Sequence, residues 1–459
     1  MAAHQFTMTR ITALATALLL AGCVNLAPDH QRPAAPVAAE FPQASASEGT
    51  AARSLAWQQF YAGDERLQAL IELALKNNRD LRVALLNVEQ ARALARVSDA
   101  NRWPTVAAGF VNSRTPGKDN TITAAYQAGL QINAYELDLF GKLKNQGDAA
   151  TARYLASSEG ARAAQIALVA GVASSHLALQ ADEELLQLAR STAATRTDSL
   201  RLTRQKYEAG VASALELAGA ESALGAAQVA LAAAERQRAQ DENALVLLVG
   251  QPLPASLPAV GKAALPDLPV GIPSEVLTLR PDVLQAEGML RAASANIGAA
   301  RAAFFPSIAL TTSLGTASSH LSDLFSNTAW SFVGQALLPI FDAGRNQANL
   351  DSAKAAQDMA VAQYEKAVQT AFREVADALA GRATLGTQLQ AQQKQSEAEQ
   401  QRLKLVQLRF SNGASSSLEL LDAQRASFAA QLALVQVRLA QQLNAVQLYK
   451  ALGGGASAS

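Results

Sequence analysis

Few residues in this chain have the type and spacing to do chemistry. There is one thiol, Cys23, and four histidines, His4, His30, His176 and His320, so far apart that no local zinc-binding cluster forms. A lone cysteine cannot close a disulfide either. The pair Gly261-Lys262 hints at a phosphate loop, but Ser256 stands where the first glycine belongs and Ala263 where a Mg²⁺-binding Ser or Thr belongs. Neither a nucleophile elbow nor an HExxH segment occurs, and carboxylate neighbours such as Glu183-Glu184 read as solvated helix faces. We therefore expect no catalytic residue, no metal site and no cofactor beyond a covalent lipid on Cys23. The 39 basic and 39 acidic residues cancel, without the excess of Lys and Arg that phosphate neutralisation needs, so no nucleic-acid partner is expected. Hydrophobic residues make up 49% but aromatics only 5%, a composition of Ala, Leu and Val that suits long packed helices.

The thiol has its own context. Arg10 is followed by the apolar run Ile11 to Ala21, too short to span a bilayer and of the right length for a signal-peptide core. The run ends Leu20-Ala21-Gly22-Cys23, the pattern of a lipobox, in which the thiol is acylated and cleavage leaves Cys23 first in the mature chain. Residues 1–22 are then a lipoprotein signal peptide, with Met1 or Met8 as the start. Acyl chains contribute about 0.8 kcal/mol per buried CH₂, so several of them make a stable anchor. Val24, rather than Asp, favours transfer to the outer membrane by analogy with other bacterial lipoproteins. Residues 23–56, with Pro28, Pro33 and Pro36, read as the anchor and an extended leash.

A second constellation is Leu418, Asp422 and Arg425, which lie at i, i+4 and i+7 and so share one face of a helix. What positions them is a duplicated unit. Asp80 and Pro104 recur as Asp282 and Pro306 at an offset of 202, and Tyr207, Gly210, Ser213, Leu215 and Glu216 recur as Phe410, Gly413, Ser416, Leu418 and Glu419 at an offset of 203. Gly250 and Gly453 close both copies, which span roughly 57–250 and 267–453. The segment 251–273 holds six of the 15 prolines and reads as a connector, placing the elements of the second copy in 274–453 and a flexible tail in 454–459.

Each copy has the same order of elements. A leading helix, about 64–101 or 274–303, is followed by two alternating segments, a very long helix and a returning helix. The long helices, about 149–208 and 347–410, would each measure about 90 Å or slightly more at 1.5 Å per residue. They are followed by return helices at about 214–249 and 417–452. In the last helix Phe428, Leu432, Val435, Leu439, Val446 and Tyr449 follow a coiled-coil spacing interrupted by Gln442. Gly210 and Gly413 permit tight reversals between long and returning helices. At the offset of 203, Asp422 pairs with Gly219 and Arg425 with Ser222, so only the second copy carries these charges.

The alternating segments are about 104–112, 125–137, 305–314 and 330–338. In the second, Tyr126, Ala128, Leu130, Ile132 and Ala134 fall on one face, with Gln127, Gln131 and Asn133 on the other. Strands of this length and two-faced character suit a tilted crossing of a bilayer, and Trp103, Tyr135, Phe305 and Trp330 stand near strand ends, as in interfacial girdles. Even small closed barrels use about eight strands, and an open edge cannot face lipid. A barrel built from these hairpins must therefore be shared among several copies of the chain.

Lipobox, duplication, hairpins and long helices together with Glu136-Leu-Asp138-Leu-Phe140-Gly141-Lys142, Ala300-Arg-Ala-Ala-Phe-Phe-Pro306-Ser, Leu420-Leu421-Asp422-Ala-Gln-Arg425 and Tyr449-Lys-Ala-Leu-Gly-Gly resemble the outer membrane efflux proteins, TolC in general and the OprM-type lipoprotein branch in particular. The resemblance implies a mainly α fold with a membrane β-barrel part: a homotrimer whose 12-stranded barrel continues into a periplasmic α-helical tunnel. It also implies a passive exit duct for drugs or other small toxic compounds, with outer-membrane lipid around it, a periplasmic adaptor, and an inner-membrane pump of the resistance-nodulation-division type as partners. In the family the leucine, aspartate and arginine matching Leu418, Asp422 and Arg425 constrict the resting tip, and three acids near the axis would favour cations. Tyr207, Gly210, Ser213 and Leu215, with Phe410, Gly413 and Ser416, are candidates for adaptor docking. A type I protein-secretion channel would use the same architecture, while a lipid-anchored coiled-coil scaffold would leave the hairpins idle.

Overall fold

A computed structural model describes residues 25–41, 55–117, 121–259, 265, 266, 268 and 274–455. Cys23, the signal segment and most of the second half of the connector lie outside the described residues. The described chain forms α1 (Trp57–Phe60), α2 (Glu65–Asn77), α3 (Arg79–Ala100), β1 (Val106–Pro116), β2 (Ile122–Leu137), α4 (Lys142–Glu208) and α5 (Ala214–Val249). A 3₁₀ turn at Ser274–Leu279 then leads to α6 (Pro281–Ala302), β3 (Ser307–Ser318), a 3₁₀ turn at Leu321–Asp323, β4 (Thr328–Leu337), α7 (Arg345–Ser411) and α8 (Ser417–Ala451).

Three helix boundaries differ from expectation for identifiable reasons, and β1 and β3 each run four residues past their expected ends at 112 and 314. The helix at about 64–101 is two helices, because Asn78 adopts extended backbone, its Oδ1 accepts from the Leu81 N–H to cap α3, and its Nδ2 donates to the Leu248 carbonyl. The helix at about 274–303 starts only at Pro281, which preorganises a first helical turn and needs no N–H partner. The long helix of the first copy begins at Lys142, not near 149, since the Asp138 carboxylate accepts from the Lys144 N–H and supplies its start.

Two compact units cut across the repeats. The first takes residues up to 34, 86–159 and 284–366; the second takes 35–85, 160–283 and 367–459. Each therefore needs both copies of the repeat, and neither copy is a domain by itself.

The first unit is built around one antiparallel sheet in the order β1-β2-β3-β4, whose outer edges, on β1 and β4, have no strand beside them among the described residues. The register puts Phe110, Ala128, Leu130, Leu314, Trp330 and Phe332 on one face, and Gln127, Gln131, Thr311, Ser313, Ser331 and Gln335 on the other. The expected alternation in β2 fails at Ala134. Asn133 and Ala134 together oppose Thr311, Ala134 has φ +49°, and its N–H donates to Thr311 Oγ1 at 3.0 Å, which is a β-bulge. The extra residue restores Tyr135 and Leu137 to the apolar face and takes Ala134 out of it.

The leash lies along α6 in the same unit. The Leu26 carbonyl accepts from Arg301 at 2.9 Å, and buried Glu287 accepts from Arg32 and Arg291 at 2.6 Å each, with His30 3.5 Å away. Burial alone would raise the Glu287 carboxyl, but the two guanidinium groups outweigh it and hold the group below its ordinary value.

The second unit packs helices around Phe60, Tyr61 and Tyr449, where Phe60 and Tyr449 stack at 4.1 Å and the Tyr449 hydroxyl donates to the Leu55 carbonyl at 2.6 Å. Buried Asp64 caps α2 through the Leu67 N–H and contacts His176 Nε2 at 3.0 Å, tying α2 to α4. Arg280 spans Asp282, Glu374 and the Ala451 carbonyl, each at 2.7 Å. Along α8 the buried residues towards the helix start are Leu420, Ala423, Gln424, Ser427 and Ala430, not the expected Phe428 and Leu432, which are half-buried. Small residues on that face allow close helix approach there.

Candidate functional site

Both turns between long and returning helices lie in the second unit and share one construction. After α4, Gly210 has φ +75°, and the Val211 N–H donates to the Lys206 carbonyl at 2.9 Å; after α7, Gly413 has φ +73°, and the Ala414 N–H donates to the Arg409 carbonyl at 2.8 Å. This is a glycine-terminated helix end that satisfies the last carbonyls. Ser213 and Ser416 then start the return helices, their hydroxyls accepting from the Glu216 and Glu419 N–H groups at 3.2 Å. Glu216 closes a capping box by accepting from the Ser213 N–H at 2.8 Å.

The two turns touch. Ser417 Oγ donates to Glu216 Oε1 at 2.8 Å, and Lys206 Nζ lies 4.7 Å from the centre of the Phe410 ring. The hydrogen bonds from the Ser213 backbone, Ser417 and the Ser213 hydroxyl hold the Glu216 carboxyl below its ordinary value. Leu215 and Leu418, one per turn, are 82% and 76% exposed, so the paired turns present apolar side chains on a hydrogen-bonded base.

Leu418, Asp422 and Arg425 do share a face of α8, and Asp422 is held from two sides. Its Oδ2 accepts from Arg402 of α7 at 2.6 Å and its Oδ1 from Arg425 at 3.0 Å, while Arg402 also reaches Glu399 at 3.2 Å. The Arg402 bond, then the Arg425 bond, lowers the Asp422 carboxyl. Arg402 is a member of this cluster that the sequence reading missed. The signal was available: at the offset of 203, Glu399, Arg402, Asp422 and Arg425 correspond to Arg196, Ser199, Gly219 and Ser222, so the whole alternating-charge set belongs to the second copy alone. Within the chain the two arginines thus pair with the acid from either side. Among the described residues no group of three His, Cys, Asp or Glu side chains stands where it could hold a metal.

A two-faced sheet with free edges, paired long helices and closed helical turns is thus on hand, and comparison with known proteins says where it belongs. The outer membrane efflux protein pattern matches residues 70–251 and 272–454, one match for each copy of the repeat. This chain belongs to the outer membrane efflux protein family. The toluene efflux pump outer membrane protein TtgC of Pseudomonas putida is 45% identical over 98% of this chain and 96% of its own length. The antibiotic efflux pump outer membrane protein ArpC of the same species matches to the same extent. The open state of the MtrE outer membrane channel of Neisseria gonorrhoeae superposes with a TM-score of 0.86, at 39% identity, over 94% of this chain and 98% of that one. The fold is that of TolC-like outer membrane channels, mostly helical with a small sheet. As an efflux-family channel the protein works in the outer membrane, as the outer-membrane component of an efflux system.

Proposed function

We propose that three copies of the chain close their sheets into a 12-stranded barrel and form a passive, non-enzymatic exit duct for small toxic compounds. A periplasmic adaptor and an inner-membrane pump of the resistance-nodulation-division type deliver the cargo. The observation that carries the reading is the four-stranded sheet, apolar on one face, with Phe110, Leu314, Trp330 and Phe332 more than half exposed and both edges unpaired among the described residues. Lipid covers such a face, and another copy covers such an edge. The internal repeat supports the edge pairing. At the junction of β2 and β3, Phe140 stacks on Phe305 at 4.6 Å. The corresponding residues beside the free edges, Phe341 after β4 and Trp103 before β1, are 89% and 71% exposed, as they would be when their partner sits on the next copy.

Names of relatives that handle toluene and antibiotics support apolar drugs and solvents as the cargo. A lipid on Cys23 is supported by the leash. Leu26 is held beside Arg301, five residues before Pro306 and the start of β3, and Cys23 precedes Leu26 by three residues in the sequence. The exposed turns around Tyr207 to Leu215 and Phe410 to Leu418 are the adaptor-docking tips. Leu418, Asp422 and Arg425, now with Arg402, form the resting constriction. Single-channel recording in planar bilayers tests this: Arg402→Ala and Asp422→Ala raise the resting conductance of the full-length protein to a similar extent. Unchanged conductance in both removes the constriction, and absence of any channel removes the duct.

A further inference from the structure

We infer that the groove beside Arg196, between α5 and α8 near the helical turns, is a binding site for a small amphipathic anion, an apolar body carrying one carboxylate. Arg196 on α4 is only 7% exposed, and its one hydrogen-bond partner among the described residues is the Oε1 of Gln424, itself buried. No carboxylate of the described residues pairs with it, and desolvation lowers its hold on the proton without any acid to oppose the effect. A buried guanidinium has five N–H donors and a large desolvation cost, so one lacking a counter-ion is poised to accept an anion.

The repeat explains why there is room for one. Gly219 and Ser222 occupy the positions where the second copy carries Asp422 and Arg425, and Arg196 occupies that of Glu399. Between the small residues Gly219 and Ser222 of α5 and the facing side of α8 lies a cavity of about 350 Å³, with Arg196 at its wall. That volume lies at the lower end of the range for small-ligand pockets. The other walls include Ala226, Leu421 and Phe428, which give the body of the ligand an apolar bed. Asp422 also lines the groove, but Arg402 and Arg425 bridge it, so the uncompensated charge of the groove is that of Arg196. A bicyclic aromatic carboxylate fits this combination of volume, apolar wall and, beside the paired Arg425, one cation without an acid partner among the described residues. The site requires neither export activity nor a constriction at Asp422, and it can be measured on purified protein.

The test places a thiol in the groove, Ala226→Cys, in the full-length lipidated protein, where acylation leaves Cys23 unreactive. The rate of maleimide modification is measured with increasing 2-naphthoate or with the neutral 2-naphthalenemethanol. We expect 2-naphthoate to protect the thiol at concentrations about tenfold or more below those the alcohol requires, the ratio typical of one hydrogen bond to a charged group. Arg196→Gln abolishes the difference. Ser222→Phe, which fills the groove and leaves Arg196 in place, removes protection by both compounds and carries the test if the arginine variant does not fold. Equal protection by acid and alcohol, protection by 2-naphthoate that survives Arg196→Gln, or a thiol that never reacts because another subunit covers it, each overturns the assignment.

Discussion

Gly315 faces Gly129 across the β2–β3 pair, and the approach is so close that a methyl group has no place there. A Cβ on Gly315 would lie 2.0 Å from the Ala128 carbonyl oxygen and 2.6 Å from the Gly129 Cα. Real Cβ atoms do not come within 3.0 Å of such atoms, so the strands would have to part by at least 3.0 − 2.0 = 1.0 Å. Ladder hydrogen bonds of about 2.9 Å become about 3.9 Å and are lost. With two or three bonds affected at about 1 kcal/mol or more each, Gly315→Ala costs on the order of 3 kcal/mol per chain, more where lipid prevents water from replacing them. Gly334 provides the control, since a Cβ there meets only Leu310 Cδ2 at 3.7 Å, an ordinary contact. We expect Gly315→Ala to lower the yield of heat-resistant assembled channel on a gel and its melting temperature, while Gly334→Ala matches the parent. A Gly315→Ala protein that assembles and melts like the parent would show the close approach to be inconsequential and refute the argument.

Three further outcomes follow from the same structure. Burial alone would raise the Asp64 carboxyl, but His176, the Leu67 N–H and Gln180 outweigh it and keep the group below its ordinary value, so its contribution is present above about pH 4 and lost as pH falls through the lowered value; Asp64→Asn should lower the melting temperature at pH 7 and flatten its acid dependence. Asp182 is pushed up to about 7, first by burial and then by Asp241, with Arg238 opposing, so its ionisation destabilises the fold increasingly between about pH 4 and 7; in thermal melts Asp182→Asn should exceed the parent at pH 8 and lose that advantage near pH 4. Oxidation of a Trp103→Cys/Phe341→Cys double variant should link chains into dimers and trimers on a non-reducing gel, and a purely monomeric product would break the edge-pairing argument.

How far the sequence could be read depended on whether the governing contact was local or crossed the chain. Periodicity-two alternation in Tyr126 to Ile132 is set by backbone pleating, so the two-faced strand was legible; the bulge at Asn133 and Ala134 was not, because it is imposed by Thr311 on another strand. Gly210 and Gly413 announced their turns because a positive φ is a local demand, whereas Asn78 divides a helix that its own periodicity would continue, drawing on a carbonyl of α5 170 residues away. The same division runs through the charged cluster. Leu418, Asp422 and Arg425 sit on one helix and could be grouped by spacing, but Arg402 joins them only through the register of α7 against α8, which no single-helix pattern encodes. What did encode it was the duplication, since at an offset of 203 Arg402, Asp422 and Arg425 give way together to Ser199, Gly219 and Ser222. In a chain built twice, the departures from its own repeat mark the positions where one copy has been given a task the other lacks, and here those departures fall on the charged cluster and on the groove that faces it.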